Sequence, residues 1–171
     1  NALLVLSNDL VHVVPGGSFT SAFQVSMFAG LLNDGVVDVF RFYQPQFAST
    51  LVNNGTLIAE EAMLWGDSVL NRGSLHATAL LRTQLFTTVV NEGRMDGHFL
   101  QAYVLYNYDT LSFDTASLGA VQVNMGYAEF RIAINESGIW INDESGILVS
   151  DSLIILSSLD NYGLVIANDL L

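Results

Sequence analysis

The sequence predicts an all-β, parallel β-solenoid, and three observations predict it. A turn phrase, Asn-x-Gly, returns every 16 to 20 residues; an apolar residue stands two places after each return; and the period is too short for helical or βαβ repeats.

The phrase reads Asn33-Asp34-Gly35, Asn53-Asn54-Gly55, Asn71-Arg72-Gly73, Asn91-Glu92-Gly93, Asn124-Met125-Gly126 and Asn161-Tyr162-Gly163. Asn107-Tyr108-Asp109 keeps the pattern with aspartate in place of glycine. Gly17 and Gly146 fit the glycine position without an asparagine two before it. Counted from Gly17, the steps are 18, 20, 18, 20, 16, 17, 20 and 17 residues. Leu3 fits one step earlier, fourteen residues before Gly17.

The columns after this anchor alternate. Two places on stand Val5, Phe19, Val37, Leu57, Leu75, Met95, Leu111, Ala128, Leu148 and Val165, all apolar. Four places on, the residues are small or apolar, from Ser7 and Ser21 through Ala59 and Ala77 to Ala167. Between them lie Asp38, His76, Asp96, Ser112 and Glu129. A period of two means that each anchor opens a strand with one face inward.

The spacing excludes the larger repeats. A βαβ unit needs about 30 residues and helical repeats about 33 or 34. One coil of two or three short strands with tight turns fits. Asparagine and glycine suit such turns because both tolerate the left-handed conformation. Stacked coils place like residues about 4.8 Å apart, so asparagine side chains can bond up and down the stack as a ladder. The predicted ladder is Asn33, Asn53, Asn71, Asn91, Asn107, Asn124 and Asn161 with Gly35, Gly55, Gly73, Gly93, Gly126 and Gly163. A β-sandwich is the other reading, but its strands would not repeat the same residue types in one register. The expected solenoid has nine or ten coils, three sides, a right-handed winding and a length of about 45 Å.

No linker divides residues 1–171, which read as a single domain. The segment Asn161–Leu171 lies over Asn1–Val11 with six of eleven positions identical, an offset of 160 residues. That likeness predicts one unit of a longer tandem array. Neither Leu3, Leu4 and Val5 at one end nor Leu164, Val165 and Ile166 at the other looks capped. Uncapped coils expose apolar residues and unpaired backbone, so an end-to-end contact with copies of the chain or adjacent repeats is expected there.

The coils Leu51-Val-Asn-Asn-Gly-Thr-Leu-Ile-Ala59 and Val69-Leu-Asn-Arg-Gly-Ser-Leu-His-Ala77 resemble the right-handed β-helix repeats of filamentous-haemagglutinin-type adhesins. The resemblance implies an extracellular or cell-surface fibre, with cell-surface carbohydrate as a further partner.

Composition narrows the function classes. Apolar residues make up 51% of the chain and charged ones 13%, which is enough to fill a core. Acidic residues number 17 against five basic ones, for a net charge of -12. All five basic residues are arginines. Such a surface argues against nucleic acid as a partner. No apolar run approaches the ~18 residues of a membrane span. Without cysteine there is no disulfide framework.

Chemistry, if present, belongs on the outward columns of the middle coils. Asp38, His76, Asp96 and Glu129 share one column. Glu60, Thr78, His98, Asp114, Arg131 and Asp151 share the next. The alternative to a fibre is a polysaccharide-degrading enzyme, a glycoside hydrolase or lyase, using Asp96, Asp114 and Glu129 as paired carboxylates. A carbohydrate-binding module with exposed aromatics is a further alternative. The competing structural reading is a solvated face of cross-coil His–Asp and Asp–Arg pairs. Asp143, Glu144 and Asp151 offer hard oxygen ligands for calcium without any recognised loop spacing. No cofactor is otherwise expected. The chain therefore reads as a structural or adhesive shaft rather than an enzyme.

Overall fold

A computed structural model describes residues 2–5, 10–45 and 49–171, with residues 2–5 described as backbone only. Its strands are β1 (Ala2–Val5), β2 (Val11–Val13), β3 (Ser18–Met27), β4 (Leu31–Asn33), β5 (Val36–Gln44), β6 (Thr50–Asn53), β7 (Thr56–Leu64), β8 (Ser68–Asn71), β9 (Ser74–Thr83), β10 (Thr88–Asn91), β11 (Arg94–Asn107), β12 (Thr110–Asn124), β13 (Tyr127–Asn135), β14 (Ile139–Asn142), β15 (Ile147–Ile155), β16 (Ser158–Asn161) and β17 (Leu164–Leu170). Every pairing is parallel. Among the described residues there is no helix, and so none long and apolar enough to cross a membrane.

The chain winds as a three-sided parallel solenoid. Short strands such as β6 and β8 form one side, face A. The first four residues of each long strand form face B, and the rest of that strand turns a corner onto face C. Face B stacks Ser18, Val36, Thr56, Ser74, Arg94, Thr110, Tyr127, Ile147 and Leu164 in direct register. These are nine rungs with the steps that the Asn-x-Gly phrase spells. The tenth rung expected at Leu3 is not there. Ala2–Val5 pairs instead with Gln24–Met27, on face C. Leu3 is therefore level with Val25 rather than Gly17. Ser7 lies outside the described residues.

Coil length varies at the corners while the faces stay constant. Coils with a connection between faces C and A, such as Trp65 to Asp67 or Gln84 to Thr87, take 17 to 20 residues. In β11 the strand runs over all three faces without a break, and that coil takes 16. The 20-residue coil that ends at Gly146 carries a longer A–B turn, with Asn142 four residues ahead of the glycine.

The inward columns form the core. Leu57, Leu75, Met95 and Leu148 on face B, Leu31, Leu51 and Val69 on face A, and Phe42, Leu81 and Leu153 on face C are all fully buried. Bulk is traded within a rung. Trp140 and Phe130 meet edge to face with centroids 6.1 Å apart, in a layer whose other inward residues include Ala128 and Ala133. Burying a Leu- or Phe-sized side chain contributes roughly 1.5–3 kcal/mol, so each rung adds several such terms as the stack grows.

The turn glycines serve a different purpose from the one expected. Among the described residues, positive φ occurs only at Gly16, Gly138 and Ala120. Gly35, Gly55, Gly73 and Gly93 do not adopt the left-handed conformation. They are glycines because each sits directly on the carbonyl oxygen of the glycine one coil before. A Cβ on Gly73 would overlap the Gly55 oxygen, and one on Gly55 the Gly35 oxygen. The requirement is stacking clearance between rungs, not a backbone angle.

Candidate functional site

Three features could carry function: the asparagine ladder, a groove along the B–C corner, and the two ends of the stack.

The ladder stands at the end of face A, where each asparagine closes its strand and points inward. Asn33, Asn53, Asn71, Asn91, Asn107, Asn124 and Asn142 are buried. Each side-chain Nδ2 donates to the Oδ1 of the next coil's asparagine, at 2.7 or 2.8 Å, from Asn33 through to Asn161. The second Nδ2 hydrogen goes to the backbone oxygen just past the next turn, Thr56 for Asn33 and Ser74 for Asn53. All the amides therefore point the same way. The starting end is closed, because Asn33 Oδ1 accepts from the Gly35 N–H at 3.2 Å. The position one coil earlier is Val13, which cannot join. The far end is open: Asn161 is exposed, and its Nδ2 donates to nothing among the described residues. Asn142 completes the ladder, although Gly146 has no asparagine two places before it. Its signal was an asparagine four, not two, places before a turn glycine.

The corner groove collects the charged residues. Three shallow stretches follow one another along the corner. One of about 510 Å³ includes Asp38, Phe40 and Glu60, one of about 330 Å³ includes His76, Asp96 and His98, and one of about 230 Å³ includes Asp114, Glu129 and Arg131. Asp96, Asp114 and Glu129 are already engaged. Asp96 binds His76 Nδ1 at 2.6 Å and Arg94 Nε at 2.9 Å. Asp114 binds His98 Nδ1 at 2.6 Å, and Glu129 accepts from the Tyr127 hydroxyl at 3.1 Å. Tyr127's phenol is pushed above its ordinary pKa by desolvation and by that Glu129 contact. Asp96 and Glu129 share one column two coils apart, with Ser112 between them, and Asp114 stands at the corner beside it.

Other charges pair across coils in the same manner. Arg72 meets Glu92 at 2.9 Å, and Arg41 Nη2 donates to Glu61 at 3.0 Å. His12 meets Asp34 at 2.6 Å. The Asp34 carboxyl is held below the usual carboxylate range, first by the Asn54 amide and then by His12.

The residues considered for calcium are spread out. Asp143 and Glu144 lie in an A–B turn, while Asp151 is at the B–C corner, across the four face-B residues of β15. Asp151 accepts from Asn168 Nδ2 at 3.1 Å. Among the described residues, no three His, Cys, Asp or Glu side chains gather as a metal site. The aromatics divide. Trp140 is in the core, and Tyr43 packs edge-on against Trp65 at 4.8 Å. Phe40 is exposed beside the Arg41 guanidinium, 5.1 Å from its ring centre, and Tyr108 is exposed on a turn.

At the ends, Leu164, Val165 and Ile166 belong to the last face-B rung, and the side chains of Leu3, Leu4 and Val5 lie outside what is described. The two groups are at opposite ends of the stack but on different sides, B and C. The last rung is poorly covered. Its inward residues Leu159, Val165 and Ala167 are only partly buried, and Leu164, Ile166, Leu170 and Leu171 are exposed.

No family model, no curated protein and no solved structure matches this chain.

Proposed function

We propose that this chain is a structural shaft, a length of β-solenoid that serves in an extracellular or cell-surface fibre and associates end to end. The observation that carries the reading is the stack itself: nine face-B rungs in one parallel register, tied together by a ladder of buried asparagine amides. Each rung buries its apolar face only against its neighbours, which is the construction of a rod. The likeness of Asn161–Leu171 to Asn1–Val11 supports the same reading, as the joint of a 160-residue period. The resemblance of the Asn-x-Gly coils to filamentous-haemagglutinin-type repeats supports an adhesive fibre.

A polysaccharide-cleaving site at Asp96, Asp114 and Glu129 is supported less well. The groove is shallow and open to water, whereas an active site needs walls that exclude it. Negative-stain electron microscopy of the purified chain tests the shaft. Thin fibres several times longer than one stack are expected. Discrete particles at high concentration, with slow amide exchange in Leu164 to Leu170, would mean that the end is protected in the monomer and would overturn it.

A further inference from the structure

The outer surface of face A is uncharged over most of its length. Its middle outward column begins at His12 in β2 and ends at Asp160 in β16, in unbroken parallel register over nine rungs. Every member between those two, from Leu32 through Val90 to Ile141, is apolar and only half-buried. The neighbouring outward column runs from Thr50 to Ile139 without a charged residue, and Val121 and Ile139 in it are exposed. The other two sides differ. Face B presents Asp38, Asp96 and Glu129, and face C presents Arg41, Glu61 and Arg82. In a chain of net charge -12, face A is the side on which two stacks can meet without setting like charges against each other.

We infer that face A is a lateral docking surface for a second copy of this chain, laid face to face with its long axis reversed. The inference goes beyond the shaft reading and does not depend on how the ends are joined, because His12 and Asp160 bound the apolar column from within the chain. A two-fold axis lying between the copies, along the direction of β10, sets Val90 opposite its own mate. It sets Leu70 opposite Tyr106, Val52 opposite Val123, and Leu32 opposite Ile141. At both margins His12 falls opposite Asp160. Apolar therefore meets apolar in every inner pair, and each outer pair sets a histidine against a carboxylate. With the long axes parallel instead, Asp160 would meet Asp160. The contact surface is roughly 38 Å by 13 Å, from the spacing of stacked strands and the rise per residue. That is about 500 Å² on each copy and about 1,000 Å² in the pair, the lower edge for a specific interface, so the dimer is weak and concentration-dependent.

Sedimentation of the full chain tests the contact, and a spin label on Tyr162→Cys tests its direction, since the chain has no cysteine of its own. Tyr162 is exposed on the turn that follows β16, at the margin of face A. In the proposed pair the two labels stand roughly 40 Å apart, whereas parallel stacks would bring them within about 25 Å. Val90→Arg sets two guanidinium groups against each other at the axis and should weaken association at least about tenfold. The melting temperature of the monomer should change little, because the side chain points outward. Ile134→Arg, a half-buried outward residue on face C, should leave association unchanged. Where chains also join end to end, electron microscopy should show paired fibres for the parent and single ones for Val90→Arg. No lateral pairing at millimolar concentration would leave face A to a partner of another kind and overturn the inference. Equal weakening by Val90→Arg and Ile134→Arg would overturn it as well, and labels within about 25 Å would overturn the reversed axis. The shaft reading stands in each case, since it makes no use of face A.

Discussion

Replacing Asn91 by alanine tests how much the ladder contributes to holding the rungs together. Asn91 is fully buried and sits mid-stack. It accepts from Asn71 Nδ2 at 2.8 Å, and it donates to Asn107 Oδ1 at 2.8 Å and to the Thr110 carbonyl at 2.9 Å. Alanine removes all three. Asn71 keeps its bond to the Arg94 carbonyl, but the Asn107 and Thr110 oxygens lose these donors. At about 1–3 kcal/mol for each buried group left unmatched, the loss should total roughly 3–5 kcal/mol. Asn161→Ala is the internal control. It removes one bond at an exposed position, from an Asn142 amide that still reaches the Leu164 carbonyl, and should cost no more than about 1 kcal/mol. Urea unfolding followed by far-ultraviolet circular dichroism measures both. Tryptophan fluorescence adds resolution, because Trp65 and Trp140 lie on either side of Asn91 and report whether the stack splits there. Equal urea midpoints for the two variants would show that the aligned amides are a by-product of packing and would refute the argument.

Gly73→Ala should destabilise by roughly 2–3 kcal/mol through overpacking against the Gly55 carbonyl, although no left-handed angle is involved; a neutral effect in thermal melts would mean the rungs can separate there. Asp34's lowered pKa stabilises the fold above the unfolded value of about 3.9 and ceases to do so as pH falls through the folded value. Stability against acid should therefore fall more steeply in the parent than in Asp34→Asn, and parallel curves would contradict this. Asp96→Asn and Asp114→Asn should leave fibre formation intact, and Asp114→Asn, which touches an exposed pair, should change stability by no more than about 1 kcal/mol. Cleavage of a polysaccharide by the parent that both variants abolish would establish the enzyme instead. Because copies of charge -12 repel one another, end-to-end association measured by sedimentation should strengthen between low and moderate salt, and the opposite trend would point to an ionic contact.

The face-B register was legible because two physical demands act on one spot. The turn residue must clear the carbonyl beneath it, and the asparagine must find another asparagine one coil away. Both leave identical residues at a countable spacing. Where either demand lapses, the reading slips. Leu3-Leu4-Val5 has no polar landmark, so a shift of register changes nothing visible in the sequence, and the spacing alone points to face B where the structure has face C. Asn142 was missed because two extra turn residues separate it from Gly146. At the turn glycines it is stacking clearance rather than backbone angle that requires the residue, and a sequence does not separate the two because both select glycine. The His–Asp pairs across coils could be anticipated from the columns. The three-stretch groove could not, because its depth depends on how sharply the chain turns at Glu60, His98 and Asp114, a matter of angle rather than residue type.

The backbone hydrogen bonds of this stack lie along its long axis, because every strand runs around the rod and bonds to the strands before and after it. Tension applied between the two ends would therefore load all the bonds between two neighbouring rungs at once, rather than peeling them one by one. Such a rod should extend little until an entire rung gives way, and then fail abruptly. Bending would meet a different resistance on each side, since the inward asparagine bonds stiffen only the edge where face A meets face B. A tether built this way would transmit force without lengthening, and it would flex most readily away from its amide spine.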